Sequence, residues 1–539
     1  MKQTITYLLL LFLFLNGNAQ ENNGFGFFTD RDVYVGGELV MAKIFTPENN
    51  SSKVVYLDLV NQAGVRITGV TLEIRNFQAE GFLQLPDSLS TSTYLLRGYL
   101  KNTSGKYKII REIWVTNRFT GLEKTNQVNR VSVQNFIPEE QKSQIQISGI
   151  TPEYRTNEKI NAQIEIGDEL LKNIDGDLLV AVAQTNKDFH PASFLWNSVQ
   201  PEEKLTENKG MILSGIVTDK KSQNPASGVT VFLTIPDSVP GFQYYKTNSD
   251  GRYYFLLDKY YGPVQAIIQC WSTDPAQRLK ITLDDQSFDA ANIPGFYPEP
   301  VPAEFKSGIT GTIDVVTFQK VFGQEKLLAR TTPKRKPDSY PYYGKSTVTV
   351  DPQLFIDLPN FNEISKELLS GVKFRNYNNE PKMQVYNSGL RNFFDEKPLI
   401  LIDGIPISDL NVIKDMGTTD IDRIDVCMNE RYYGDLRFPG VVAIYSTKGD
   451  YSKIVESDQL IRLKAETMQP HAKIAIPVIT ETNIPDLRQL LFWNPSTSPN
   501  KSISVSCTTS SIAGTFKFVV RGRLNDGTFF FSEKQFEVK

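Results

Sequence analysis

The sequence predicts a mainly β protein: serial β-sandwich domains of immunoglobulin-like architecture plus one small α+β domain. Three observations carry this. Runs of four to eight residues rich in Val, Ile, Tyr and Phe recur between turn signals, as at residues 39–45, 54–60, 94–100 and 109–116. Such runs suit half-buried strands, and apolar repeats at helical spacing are scarce beside them. Asp-Gly pairs at Asp250-Gly251, Asp403-Gly404 and Asp526-Gly527 fall between runs of this kind, where a tight hairpin needs left-handed backbone angles. Finally, 539 residues are several domains' worth of chain, at about 100–200 residues per domain.

The elements follow in order. Residues 1–19 hold one cation, Lys2, an apolar run from Tyr7 to Leu15 and then Gly17-Asn18-Ala19. This is the pattern of a secretory signal peptide cleaved after Ala19. The run is too short for the roughly 20 residues that a spanning helix needs. No cysteine follows Ala19 to carry a lipid anchor, and no later apolar run is long enough to span as a helix. Residues 20–118 have strand spacing that fits one sandwich of about 100 residues. A second sandwich is expected over residues 130–205, a third over 210–287, and a Pro-rich, polar linker over 288–350 with a basic cluster of Arg330, Lys334, Arg335 and Lys336. One helix is expected near Phe361, Ile364 and Leu368, which repeat at i, i+3 and i+7, with Gly371 as its C-terminal cap. It opens an α+β domain over 351–452. Residues 470–539 form a closing sandwich in which Phe516, Phe518 and Val520 alternate with Lys517, Val519 and Arg521, giving one buried and one mostly wet face.

Several stretches resemble known families. Phe28-Thr29-Asp30-Arg31-Asp32-Val33-Tyr34-Val35-Gly36-Gly37-Glu38, with Leu85-Pro86-Asp87-Ser88 and Tyr94-Leu95-Leu96-Arg97-Gly98-Tyr99, resembles the second macroglobulin-type domain of bacterial α2-macroglobulin-like proteins. Ile150-Thr151-Pro152 and Tyr154-Arg155-Thr156-Asn157-Glu158 resemble a further domain of that type. Leu213-Ser214-Gly215-Ile216-Val217-Thr218-Asp219, Pro225-Ala226-Ser227-Gly228-Val229 and Thr247-Asn248-Ser249-Asp250-Gly251 are similar to the carboxypeptidase-regulatory-like domain, a seven-stranded sandwich without catalytic residues that is common in exported Bacteroidota proteins. Pro398 to Ile407, Asp420 to Val426 and Gly440 to Gly449 resemble, in that order, the plug domain of TonB-dependent outer-membrane receptors. A plug normally sits in a barrel of about 22 strands, and the 90 residues after Gly449 are too few to build one. The combination is similar to barrel-less Bacteroidota proteins that join macroglobulin-type domains to a plug-like domain.

Common catalytic chemistry is short of residues. The chain has two histidines, His190 and His471, and neither begins an H-E-x-x-H zinc motif. No G-x-S-x-G elbow is present. Gly344-Lys345-Ser346 imitates the end of a phosphate loop, but Ser339 stands where the first glycine is required. The macroglobulin resemblance raises a thioester trap, in which a cysteine joins a glutamine three residues on. Thr273, Glu430 and Ser510 stand three residues after Cys270, Cys427 and Cys507, so none can form it. The three cysteines make no disulfide framework and read as buried apolar side chains. Asp284-Asp285 and the aspartates of residues 420–425 read as edge charges without calcium-loop spacing. No catalytic, cofactor-binding or metal residue is therefore expected. Ser88 and Ser238, in Asp87-Ser88-Leu89 and Asp237-Ser238-Val239, match the short O-glycosylation pattern of exported Bacteroidota proteins.

With 58 Lys+Arg against 61 Asp+Glu the net charge is −3, which excludes nucleic-acid binding by bulk charge. The expectation is a non-enzymatic cell-envelope protein in the periplasm, at the outer membrane or on the cell surface. It would act as an accessory or docking protein linked to TonB-dependent transport, with an outer-membrane barrel or other envelope proteins as partners and membrane association through them. The alternative is a surface adhesin or glycan-binding protein that uses Tyr260, Tyr261, Tyr340, Tyr342 and Tyr343 as stacking platforms.

Overall fold

The computed structural model describes residues 24–48, 50–61, 64–101, 108–120, 139–140, 144–186, 193–196, 207–271, 278–284, 303–324, 329–331, 340–377, 380–449, 454–470, 473–476, 479 and 484–539. The expected signal peptide with Ala19, both histidines, and Lys334, Arg335 and Lys336 lie outside the described residues. Strands take 53% of the chain and helices 9%, so the fold class is mainly β. The chain forms two compact units, one from residues 1–210, 287–333 and 468–539, the other from 211–286 and 334–467.

In the first unit, a sandwich near the N-terminus sets the three strands Gly26–Thr29, Leu39–Phe45 and Gln78–Gln84 against a larger sheet. That sheet orders Ser193–Trp196, Lys108–Thr116, Ser92–Tyr99, Val54–Val60, Arg66–Glu73 and Met468–Gln469. Alternation along Leu39–Phe45 sends Val40, Ala42 and Ile44 into the core between the sheets. The opposite face is also covered: Phe28, Met41 and Phe45 join Val519, Leu179, Ala181, Trp493 and Phe529 in a second apolar cluster. Gly26 allows this approach, because a Cβ there would stand 2.5 Å from the Phe529 ring.

The second sandwich is assembled from distant stretches. Lys159–Ile166 pairs antiparallel with Ser502–Thr508, and Ile174–Gln184 lies between Leu490–Thr497 and Gly514–Leu524. The two sandwiches expected over 130–205 and 470–539 are thus corrected to one, with Ile164, Val180 and Val182 packed in a common core with Phe516, Phe518 and Val520. Neither half has enough strands to cover its own apolar face. The expected wet face of Gly514–Leu524 is corrected too, since Val519 is buried under the first sandwich's Phe28.

The expected linker over 288–350 is corrected as well. It contains the 19-residue helix Ala303–Val321. Its Ile309 packs with Trp114 and, partly buried, Val33 and Ile313. The segment is rich in β-branched residues and carries Gly308 and Gly311, which masks helical character locally; tertiary burial overrides this. Arg330, from the basic cluster, lies in the strand Ala329–Thr331, paired with Lys473–Ala475.

In the second unit, one sandwich sets Arg252–Leu257, Met211–Asp219 and Leu279–Leu283 against Gly241–Lys246, Thr230–Ile235, Pro263–Trp271 and Leu460–Glu466. The last strand lies outside the expected 210–287 span. The α+β domain has the sheet order Val348–Val350, Ile421–Cys427, Val441–Ser446, Leu399–Ile402, Ile405–Ile407. The 351–452 boundary therefore moves upstream: Val348–Val350 belongs to this sheet. Asp403 and Gly404 turn the last hairpin with φ of 49° and 84°. The expected helix is Phe361–Glu367; the Asn360 side chain accepts from the Glu363 N–H, and Phe361 and Ile364 are buried.

Candidate functional site

Among the described residues no three His, Cys, Asp or Glu side chains gather as a metal site would require. The α+β domain presents the clearest candidate. Directly after the edge strand Val348–Val350 the chain makes a 3-10 turn, Pro352–Leu354, in which the Leu354 N–H donates to the Asp351 carbonyl at 3.1 Å and the Phe355 N–H to the Pro352 carbonyl at 3.1 Å. On the far side, the Thr418 hydroxyl donates to Asp357 at 2.9 Å, and the Leu358 N–H donates back to that hydroxyl at 3.2 Å. A segment anchored at both ends thus holds out Leu354, Phe355 and Ile356, which are 79%, 56% and 71% exposed. Three consecutive large apolar residues in solvent are uncommon on a monomer surface and mark contact sites.

The first unit has a cleft of about 480 Å³, lined among others by Asp30, Arg31, Asp32, Gln489, Lys517 and Arg521. Thr29 to Val33 of the Phe28 to Glu38 sequence motif line it. The Arg31 guanidinium donates to Asp30 and Glu38, each at 3.0 Å, and to the Gln489 Oε1 at 2.7 Å. Burial works against the charge on Arg31, but Glu38 and Asp30 hold it well above its ordinary value. The Tyr34 hydroxyl donates to Asp30 at 2.8 Å, and the Val35 N–H to the Glu38 carboxylate at 2.7 Å. Ile150 to Glu158 repeats part of this knot: the Thr151 N–H donates to the Tyr154 hydroxyl at 3.0 Å and the Arg155 N–H to Glu158 at 2.7 Å. The motif is therefore a turn-forming device used in both sandwiches, and Arg31 is its addition in the first.

Beside the cleft, Arg111 donates to Asp32 at 2.5 Å, and Lys517 pairs with Glu533 at 3.1 Å. The Arg521 guanidinium donates to the Thr29 carbonyl at 3.3 Å and sits 5.1 Å from the Phe28 ring. Burial, then the nearby Arg111 charge, pushes Arg521 down to about 10. Where the two sandwiches meet, Lys43 is 1% exposed and donates to Gln78 at 2.5 Å and the Pro495 carbonyl at 2.6 Å. Burial pushes it down to about 8, against the pull of Glu80 and Asp177.

Of the residues singled out by sequence, Ser88 and Ser238 are both exposed, and Ser238 donates to the neighbouring Asp237 at 3.3 Å. Cys270, Cys427 and Cys507 are buried free thiols, as their placement in strands suggested; burial pushes Cys270 up to about 12 and Cys507 up to about 11. Asp284 accepts from Arg252 and Ser214, and Asp425 from Thr349 and Tyr343, so both are structural partners. The aromatic platforms are mostly packed: Tyr260 and Tyr343 are buried, and Tyr342 stacks on Phe242 at 3.9 Å. Tyr340 is exposed. Sequence reading missed both the triplet and the cleft. Leu354-Phe355-Ile356 had a signal, an apolar run beside Pro352 outside any alternating pattern; the cleft had none, because its lining comes from five separate stretches.

No helix among the described residues is long and apolar enough to cross a membrane. No protein-family model matches the chain, and no curated protein does. Solved structures aligned to it include Salmonella α2-macroglobulin reacted with methylamine, at 9% identity and TM-score 0.21, covering 95% of this chain and 39% of that one. The native conformation of Escherichia coli α2-macroglobulin aligns at 9% identity and TM-score 0.23, covering 96% and 40%. Dimeric latent PorU from Porphyromonas gingivalis aligns at 12% identity and TM-score 0.15, covering 48% and 32%. The chain spans about two fifths of the length of these bacterial α2-macroglobulins.

Proposed function

We propose that this chain is an exported, non-enzymatic cell-envelope protein that docks to outer-membrane components and serves TonB-dependent transport as an accessory. The observation that carries the reading is the exposed Leu354-Phe355-Ile356 triplet, fixed in place on the domain whose sequence resembles a receptor plug. Burying three such side chains against a partner would contribute several kcal/mol, at about 1.5–3 kcal/mol for each fully buried one. The two-sheet sandwich of the same unit, six of its strands from residues 211–283 and the seventh from Leu460–Glu466, is compatible with the carboxypeptidase-regulatory-like resemblance, a family domain without catalytic residues. The periplasm or the outer membrane, reached through partners, is the location that fits a signal peptide ending at Ala19. A glycan-binding role draws less support, because packing removes Tyr260, Tyr342 and Tyr343 from use as platforms.

The test is photo-cross-linking in intact cells from a benzoyl-phenylalanine placed at Phe355, followed by mass spectrometry. Recovery of outer-membrane barrels or their bound partners is expected. Recovery of polysaccharide alone, or of nothing, refutes the docking reading. Protease shaving of the same cells tells which side of the outer membrane the triplet faces.

A further inference from the structure

The sheets of the first unit end in edges of different character. Arg66–Glu73 is charged at both ends and is paired along Thr71 and Leu72 by Met468–Gln469. Leu490–Thr497 contains Pro495 and two register shifts. Charges, prolines and bulges of this kind keep an unpaired strand from adding to another chain. Ser502–Thr508 has none of them. It is the outer strand of the sheet Ile145–Ser148, Lys159–Ile166, Ser502–Thr508, it pairs with Lys159–Ile166 over seven residues without a shift, and it holds no charged residue. Its free side can be read from the ladder. The Ile166 N–H donates to the Lys501 carbonyl at 3.0 Å and the Thr509 N–H to the Glu158 carbonyl at 2.9 Å, so the odd-numbered residues bond inward. By antiparallel alternation, Ser502, Ser504, Ser506 and Thr508 turn their N–H and C=O groups outward. Arg488 donates to the Thr508 carbonyl at 3.1 Å. Among the described residues no backbone hydrogen bond reaches the outward groups of Ser502, Ser504 and Ser506.

This strand is complementary to itself. A second copy added antiparallel about a two-fold axis at Ser504 sets Ser504 against its counterpart and Ser502 against Ser506 of the second copy. That closes three residue pairs with two backbone hydrogen bonds each and leaves the Arg488 contact undisturbed. On the solvent face, the register with Lys159–Ile166 makes the rows across the axis Gln163, Ser504, Ser504, Gln163 and Asn161, Ser506, Ser502, Glu165. No two like charges meet in them, and Ser504 and Ser506 already donate to Gln163 at 2.9 Å and Asn161 at 3.1 Å. On the core face, Ile503, which is only partly buried, comes opposite Val505 and gains cover. We propose that Ser502–Thr508 is a dimerisation edge through which two copies of this chain join into one continuous six-stranded sheet. The contact is short, which places it among weak, reversible associations.

The experiment is sedimentation equilibrium of the full chain from about 1 to about 200 µM, where a reversible monomer–dimer equilibrium without larger species is expected of a closed two-fold contact. Ser504→Lys sets two ammonium groups against each other at the axis, at a position whose side chain is exposed. Ser504→Pro removes an outward N–H that the ladder does not use. Each should weaken the dimer by at least about tenfold with an unchanged circular dichroism spectrum; if Ser504→Pro fails to fold, Ser504→Lys decides. Ser504→Cys reads the register, because the Cα atoms of a hydrogen-bonded pair lie about 5.5 Å apart, within disulfide reach. Mild oxidation should convert it to a covalent dimer, whereas Ser148→Cys on the opposite edge strand should not cross-link. A chain that is monomeric throughout the range overturns the proposal. So does a dimer unweakened by Ser504→Lys, or a Ser504→Cys chain that forms no intermolecular disulfide.

Discussion

Lys43 offers a direct measure of how tightly the two sandwiches of the first unit close on each other. It is buried on the outer face of the strand Leu39–Phe45, on the side that packs against the second sandwich. The ordinary lysine value is 10.5, and burial lowers it to about 8. Between those values the unfolded chain holds a proton that the folded chain has released, so raising the pH through this window stabilises the fold. The whole interval is worth about 3 kcal/mol, of which about 1 kcal/mol falls between pH 8 and pH 9. Lys43→Met removes the titrating group while keeping an unbranched side chain. Urea unfolding of both proteins, followed by fluorescence of Trp493 in the adjoining apolar cluster, gives stability against pH. Wild type should gain about 1 kcal/mol over Lys43→Met between pH 8 and 9. Parallel curves would show that Lys43 is hydrated in solution and that the sandwiches do not close around it.

Other outcomes follow from the packing. Gly26→Ala drives a Cβ to 2.5 Å from the Phe529 ring and should destabilise the first unit by about 1–3 kcal/mol, read as a fall in midpoint by thermal denaturation. Asn360→Ala removes the acceptor for the Glu363 N–H and should cost about 1 kcal/mol, measured by urea unfolding. The three buried thiols should react with a disulfide reagent only after unfolding, each held protonated by burial; one thiol equivalent released from the folded protein would contradict their placement.

Local order was legible where the sequence itself closes a local hydrogen-bond loop. The Phe28 to Glu38 motif could be recognised because Tyr34 and Glu38 bond to backbone within four residues of themselves. The Asp403-Gly404 hairpin and the Asn360 cap are equally short-range. Partner choice was not legible. Alternation along residues 516–520 states that one face is buried, but the same pattern fits any complementary sheet, and here the facing sheet brings Lys159–Ile166 from more than 300 residues away. For the same reason the odd-numbered face was read as wet: nothing near Val519 in sequence announces Phe28. Helix Ala303–Val321 was hidden by its own composition, and the cleft by the scatter of its lining.

The interrupted second sandwich imposes an order of assembly. The Glu158 N–H finds the Thr509 hydroxyl 351 residues later, and Lys159–Ile166 waits for Ser502–Thr508. As the chain is made, the early half emerges with a bare edge and an unpaired apolar face, while most of the intervening chain, residues 211–286 and 334–467, belongs to a unit of its own. Once that insert is compact, its folded body replaces a long floppy loop, and the entropy of bringing the two halves together falls accordingly. The insert acts as a scaffold in time: a defect in its folding is expected to surface as misassembly of a sandwich it does not belong to. The exposed early edge is then the place where a chaperone would have to stand guard.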